Sequence, residues 1–139
     1  MTNPDISVVI PALNERDSIP HLHQELTDVF AALGKSYEII VVDDGSTDGT
    51  TEFCRELAAK DPAVILVEMR RCFGKATALQ AGFKVARGEI IFTMDADLQD
   101  DPKEIPRFLE TLDQGFDLVS GWKENRKDPI SKTIPSKLF

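Results

Sequence analysis

Histidine and cysteine are scarce in this 139-residue chain, with two of each, and their scarcity removes several chemistries. Cys54 and Cys72 are too few for a disulfide framework and lack companions at zinc-ligand spacing, so both read as reduced packing thiols in a cytosolic setting. His21 and His23 stand two residues apart on different faces of one helical stretch. They read as surface histidines, badly placed for a Ser-His-Asp or Cys-His nucleophile. There is no G-x-G-x-x-G, and Gly74-Lys75 lacks the upstream glycine and following Ser/Thr of a phosphate-cradling loop, which weakens dehydrogenase and nucleotide-triphosphatase readings. No charged segment leads into an apolar run at the N-terminus, and no run approaches the ~20 apolar residues of a membrane span. As given, the chain reads as soluble. Positive charge is also short: 16 basic against 24 acidic residues give a net charge of -8, which argues against a general nucleic-acid binder.

What is present suffices for one core. At 42% hydrophobic the chain has material for a single domain of ordinary size and too little for two. Its charge is unevenly spread, because residues 122-139 carry five basic residues, Lys123, Arg126, Lys127, Lys132 and Lys137, against Glu124 and Asp128. An acidic body over 1-121 is therefore expected to end in a basic tail over 122-139.

Apolar runs and turn signals alternate along the body. Ile6-Ser-Val-Val-Ile10 predicts a buried parallel strand closed by Pro11. A helix is expected from Ile19 to Leu33, capped by Asp17 or Ser18 and stopped by Gly34. Tyr37-Val42 predicts a second strand, followed by the Asp- and Gly-rich turn 43-50 and a helix to about Lys60. Ala63-Met69 predicts a third strand. The next helix starts at Gly74, packs Leu79, Ala81, Phe83 and Val85, and stops at Gly88. Glu89-Met94 predicts a buried fourth strand, and Pro102 opens a helix carrying Ile105, Phe108, Leu109 and Leu112 until Gly115. Leu118-Gly121 predicts a short fifth strand. This alternation implies an α/β fold: a mostly parallel sheet with helices on both faces and sites gathered at the strands' C-terminal ends.

Two of those strand ends are acidic. The fourth strand runs into Asp95, Asp97, Gln99, Asp100 and Asp101, four carboxylates within seven residues that would repel one another without a cation among them. A hard ion such as Mg2+ or Mn2+ takes carboxylate and amide oxygens. Asp100 and Asp101 equally suit a cap on the helix that Pro102 begins. Asp43-Asp44 ends the second strand and should converge on the same crevice. There the two carboxylates either accept hydrogen bonds from a nucleotide's base and ribose or cap the turn that follows.

Ile10-Pro-Ala-Leu-Asn-Glu15, Val42-Asp-Asp-Gly-Ser-Thr-Asp-Gly-Thr50, Phe73-Gly-Lys75 and Asp95-Ala-Asp-Leu-Gln-Asp-Asp-Pro102 together resemble the family 2 glycosyltransferases. Within that family they are similar to the polyprenyl-phosphate sugar transferases. The resemblance implies a GT-A fold and inverting transfer of a sugar from a UDP- or GDP-sugar donor to a polyprenyl-phosphate acceptor. It places Pro11, Ala12, Asn14, Glu15, Asp43 and Asp44 in the nucleotide pocket with Gly74 and Lys75 nearby, and assigns Asp95, Asp97 and Gln99 to an Mg2+ or Mn2+ ion. It also brings Lys123 and Arg126 to the acceptor phosphate. Cys72 departs from the family pattern, replacing the usual asparagine before Phe-Gly-Lys with a weakly polar thiol. The family normally continues past the length seen here, so the chain reads as an N-terminal portion.

A polyprenyl phosphate is already anionic near neutral pH, with a second pKa of about 6 by analogy with other phosphate monoesters, so the shortage of histidine is no obstacle to its attack on the donor. A glycosidase would need one carboxylic acid kept protonated opposite a second carboxylate. Clustered acids ending one strand suit a cation better. Lys132 and Lys137, set among Ile130, Ile134, Leu138 and Phe139, suit an anionic membrane surface at the cytoplasmic face, or alternatively a solvated tail. Two further readings stay open: a family 2 transferase with a soluble sugar or polysaccharide acceptor, and a nucleotide-binding module without turnover.

Overall fold

The computed structural model describes residues 2-118. Four strands, β1 (Ile6–Ala12), β2 (Tyr37–Asp43), β3 (Val64–Glu68) and β4 (Ile90–Thr93), form one sheet in the order β3-β2-β1-β4. Every pairing is parallel. Helices α1 (Ile19–Leu33), α2 (Thr50–Lys60) and α3 (Lys75–Val85) make the crossovers. The chain divides after Pro102, and the second part carries a short 3-10 turn running into α4 (Ile105–Asp113), in which Ile105 and Leu109 are buried. The expected fifth strand at Leu118-Gly121 and the boundary at 121/122 lie at or beyond the edge of the described residues.

Strand alternation sorts the core into two layers. Ile10 of β1 and Ile39 and Val41 of β2 meet Ile19 and Leu22 of α1 and Leu57 of α2 around a void of only about 10 Å3. On the opposite face Val9, Ile40 and Val42 pack with Ala78 of α3. The two central strands are thus covered on both sides, which is why their sequences are rich in β-branched residues on both faces. Helix α1 ends where Gly34 adopts φ 66 and donates its N–H to the Phe30 carbonyl at 3.0 Å. Its start differs from expectation: Ser18 makes no side-chain cap, and the Glu15 carbonyl instead accepts the N–H groups of Ser18 and Ile19.

Two further expectations are corrected. Helix α3 buries Ala78 and Gly82 rather than Phe83 and Val85, both of which are exposed. The helix lies close against β1 and β2, where a Cβ on Gly82 would sit 2.4 Å from Val9 Cγ1, so the contacting stripe must be small. Strand β4 is half-exposed rather than buried, with Ile91 44% accessible. Its register opposite Ser7 and Val9 puts Ile91 on the α3 face, but α3 lies mainly over β1 and β2. His23 is likewise no surface histidine, since its Nε2 lies 2.7 Å from Asp61 Oδ2 in a half-buried pair.

Candidate functional site

The sheet order fixes where a crevice must open. From β1 the chain moves to β2 on one side, and β4 later joins on the other, so the loops leaving β1 and β4 part company at their C-terminal ends. A cleft of about 310 Å3 lies at that point. Pro11, Ala12, Leu13 and Glu15 enter it from β1, Asp44 from the end of β2, Cys72, Gly74 and Lys75 from the approach to α3, and Asp95, Ala96 and Asp97 from the end of β4.

Hydrogen bonds between loops hold this rim. Asn14, in the left-handed region at φ 55, donates its N–H to Ser46 Oγ at 2.9 Å, and its Oδ1 accepts the Thr47 N–H at 2.8 Å. Asparagine tolerates that conformation better than most residues. The Glu15 and Arg16 N–H groups reach Thr50 Oγ1 and Asp48 Oδ2. The loop after β1 is thereby zipped to the loop after β2. Gly45 lets a third segment close in, because a Cβ there would stand 2.8 Å from the Cys72 nitrogen.

Consecutive strand residues point to opposite faces, and this separates the paired aspartates. Asp43 turns toward α2, where it accepts the Ser46 N–H at 3.1 Å and the Thr51 hydroxyl. Burial, then the Asp43 charge, pushes the thiol of Cys54 beneath it up to about 11. Asp44 turns the other way, into the cleft and onto the start of α3, accepting the N–H groups of Phe73 at 2.8 Å and Gly74 at 3.0 Å. The Cys72 thiol lies 3.5 Å from the same carboxylate.

At the β4 end, Lys75 Nζ stands 2.5 Å from Asp95 Oδ1. The Asp95 N–H is held by Asp100 Oδ2 at 2.9 Å, so that carboxylate braces the loop. Asp97 is exposed and accepts the Gln99 N–H at 3.1 Å. Of the residues anticipated from sequence, Pro11, Ala12, Glu15, Asp44, Gly74, Lys75, Asp95 and Asp97 meet in the cleft. Asn14, Asp43 and Gln99 are outside its lining, the first two engaged in holding loops. Lys123 and Arg126 lie outside the described residues. Leu13, Cys72 and Ala96 were not anticipated there; Leu13 and Ala96 each sit between residues that were, and Cys72, expected to be a packing thiol, is instead exposed on the cleft, so that only Cys54 is buried.

Among the described residues no three His, Cys, Asp or Glu side chains converge into a complete metal cage. Asp95 and Asp97 provide two carboxylates on an open cleft, with Lys75 marking where positive charge is already drawn. That donor set fits a hard divalent ion that takes one or two carboxylates from protein and fills its remaining positions with substrate phosphate and water.

An all-parallel sheet with an acidic crevice at its switch point defines an open, helix-covered α/β protein in architecture. The particular family follows from comparison: residues 7–138 match glycosyl transferase family 2, and the chain belongs to it. It is 42% identical over 135 residues to an undecaprenyl-phosphate 4-deoxy-4-formamido-L-arabinose transferase of Klebsiella pneumoniae, covering 96% of this chain and 41% of that protein. A namesake from Aeromonas hydrophila is 43% identical over 143 residues, covering 100% and 44% respectively. The chain thus spans about two-fifths of the length of these relatives. Among solved structures it resembles the mannosyltransferase PcManGT of Pyrobaculum calidifontis in complex with GDP-Man and Mn2+, with TM-score 0.73 and 30% identity over 91% of this chain and 37% of that one. It also resembles glucosyl-3-phosphoglycerate synthase of Mycobacterium tuberculosis with Mn2+, UDP and phosphoglyceric acid, with TM-score 0.69 and 28% identity over 88% and 44%. The expected GT-A type fold is met. No helix among the described residues is long and apolar enough to cross a membrane.

Proposed function

We propose that this chain forms the donor-binding part of a metal-dependent, inverting glycosyltransferase that moves a sugar from a UDP- or GDP-sugar to a polyprenyl phosphate. One observation carries the reading: Glu15, Asp44, Asp95 and Asp97 line the cleft with Lys75 as the only Lys or Arg in its lining among the described residues. An anionic donor would be repelled from such a cleft unless a cation accompanied it. Asp95 and Asp97 would hold that ion, Mg2+ or Mn2+, with Gln99 as a further oxygen donor on the same loop. When bound, it supplies Lewis acidity toward the departing diphosphate.

The chain's own residues do the positioning. Asp44 braces the Phe73-Gly74 backbone and so fixes the start of α3, from which Lys75 faces the cleft. Pro11, Ala12 and Glu15 form the wall on the β1 side, held by the loop zipper, with Asn14 and Asp43 keeping that wall in place. The acceptor reading rests on the names of the relatives, which are undecaprenyl-phosphate 4-deoxy-4-formamido-L-arabinose transferases, and on the anionic nucleophile that such an acceptor brings. Lys123 and Arg126 are its proposed partners in this chain, and the basic tail is its proposed approach to a membrane at the cytoplasmic face.

Calorimetry with UDP and GDP tests the donor side. Affinity should rise at least about tenfold when Mn2+ or Mg2+ is present, and Asp97→Ala should remove that gain, worth about 1.4 kcal/mol. Equal affinity with and without metal sinks the assignment. Transfer assays comparing a short-chain polyprenyl phosphate with soluble sugars decide the acceptor.

A further inference from the structure

The Lys75–Asp95 pair occupies the position that the proposed function gives to a metal ion, and its build is lopsided. Asp95 is fixed: its N–H is tied to Asp100, and the residue before it, Met94 just past the end of β4, has its N–H bonded to the Val9 carbonyl. Lys75 is loose, with 61% of its side chain exposed. Its backbone is nevertheless anchored, because Asp44 accepts the two preceding N–H groups, those of Phe73 and Gly74. A long flexible cation therefore pivots on a fixed root beside a fixed carboxylate. It also stands at the first position of α3, the helix end where a positive charge is unfavourable and an anion is favoured. An anionic partner therefore favours Lys75, and Asp95 supplies one.

We propose that Lys75 is the resident counter-ion of Asp95, gives that carboxylate up when a divalent cation binds, and then pairs with the diphosphate of the donor. Cation and nucleotide are thus coupled through one side chain. The proposal rests on the metal reading above and adds a prediction that reading does not make. Lys75 opposes the cation when it binds alone and favours the nucleotide once the cation is in place. The coupling must be reciprocal, so the cation strengthens nucleotide binding by the same factor as the nucleotide strengthens cation binding.

The test uses Mn2+ alone, and Mn2+ with UDP or GDP, on the wild-type protein and on Lys75→Met, Lys75→Arg and Asp97→Ala. Free Mn2+ is read by electron paramagnetic resonance and nucleotide affinity by calorimetry. Lys75→Met should bind Mn2+ alone about three- to tenfold more tightly, the range set by removing a part-exposed ion pair and a unit charge near a divalent ion. The same variant should bind nucleotide more weakly in saturating Mn2+, with Lys75→Arg recovering most of the wild-type behaviour in both arms. Opposite signs in the two arms are the signature, since a lysine that merely shaped the cleft would lower both. If Lys75→Met and wild type bind Mn2+ equally while Asp97→Ala abolishes binding, the counter-ion role is overturned and the metal site stands. If no variant, wild type included, binds Mn2+ with or without nucleotide, the metal reading falls and takes this proposal with it.

Discussion

Glu38→Gln is the most informative test of how the sheet is pinned at the end away from the cleft. Glu38 is 2% exposed on β2 and accepts four donors. Ser7 Oγ at 2.6 Å and the Arg87 N–H at 2.7 Å share Oε2, while Arg87 Nε at 3.1 Å and Nη2 at 3.0 Å share Oε1. Ser7 Oγ in turn accepts the Gly88 N–H at 2.7 Å, so the serine hydroxyl cannot reverse its role without losing a partner. A glutamine has the same shape but must turn its NH2 toward one of the two donor pairs. The cheaper choice faces Arg87, whose side chain is 49% exposed and can take water instead. Breaking a fully buried pair costs about 3–5 kcal/mol; with that escape open, the expected loss is about 2 kcal/mol. Urea unfolding of the variant measures it. A change below about 0.5 kcal/mol, the ordinary range of a neutral surface substitution, would refute the argument that this network holds β1, β2 and the α3–β4 connection together. The same carboxylate predicts the acid limb of stability. Burial raises its pKa, but the hydrogen bonds from Ser7 and Arg87 and the Arg87 charge outweigh that and hold it below the ordinary value of 4.5. The folded state therefore binds fewer protons than the unfolded one. Its contribution is complete above pH 4.5 and is lost as pH falls through the lowered value, and Glu38→Gln should flatten that limb.

Gly82→Ala sets helix propensity against packing: alanine gains about 1 kcal/mol in a helix interior, but its Cβ would meet the stiff, fully buried Val9 at 2.4 Å, and overpacking costs about 1–3 kcal/mol. A net loss in thermal unfolding is expected, and a stabilised variant would show that α3 can lift off the sheet freely. Asp44→Asn leaves one of the Phe73 and Gly74 N–H groups facing an amide donor, a loss of about 1–2 kcal/mol. Hydrogen exchange should quicken at residues 73–75, and nucleotide affinity should fall because Lys75 loses its fixed root. Unchanged exchange would show that the carboxylate is not what orders this segment.

The residue pattern determined a good deal by itself. Runs rich in β-branched residues at Ile6-Ile10 and Tyr37-Val42, interrupted only by Ser7 and by Glu38 after Tyr37, pointed to strands buried on both faces, and each turn carried its own punctuation, so the parallel α/β order and the bounds of α1 and α2 were legible. The acidic motif at Asp95-Asp97 was legible for the same reason: it is local. Faces and partners were not. Of the expected stripe Leu79, Ala81, Phe83 and Val85, the first two do pack against the core while Phe83 and Val85 are exposed, and only the closeness of α3 to Val9 and Val42 reveals that Ala78 and Gly82 are the buried contact. Asp43 and Asp44 are indistinguishable as neighbours in sequence, and it takes the sheet between α2 and α3 to send one into a turn and the other into the cleft. The pairing of Lys75 with Asp95, twenty residues apart, exists because β4 lies beside β1 while α3 crosses over the same face. Local physics chose the elements and the reactive groups, and the order of strands decided which of those groups meet.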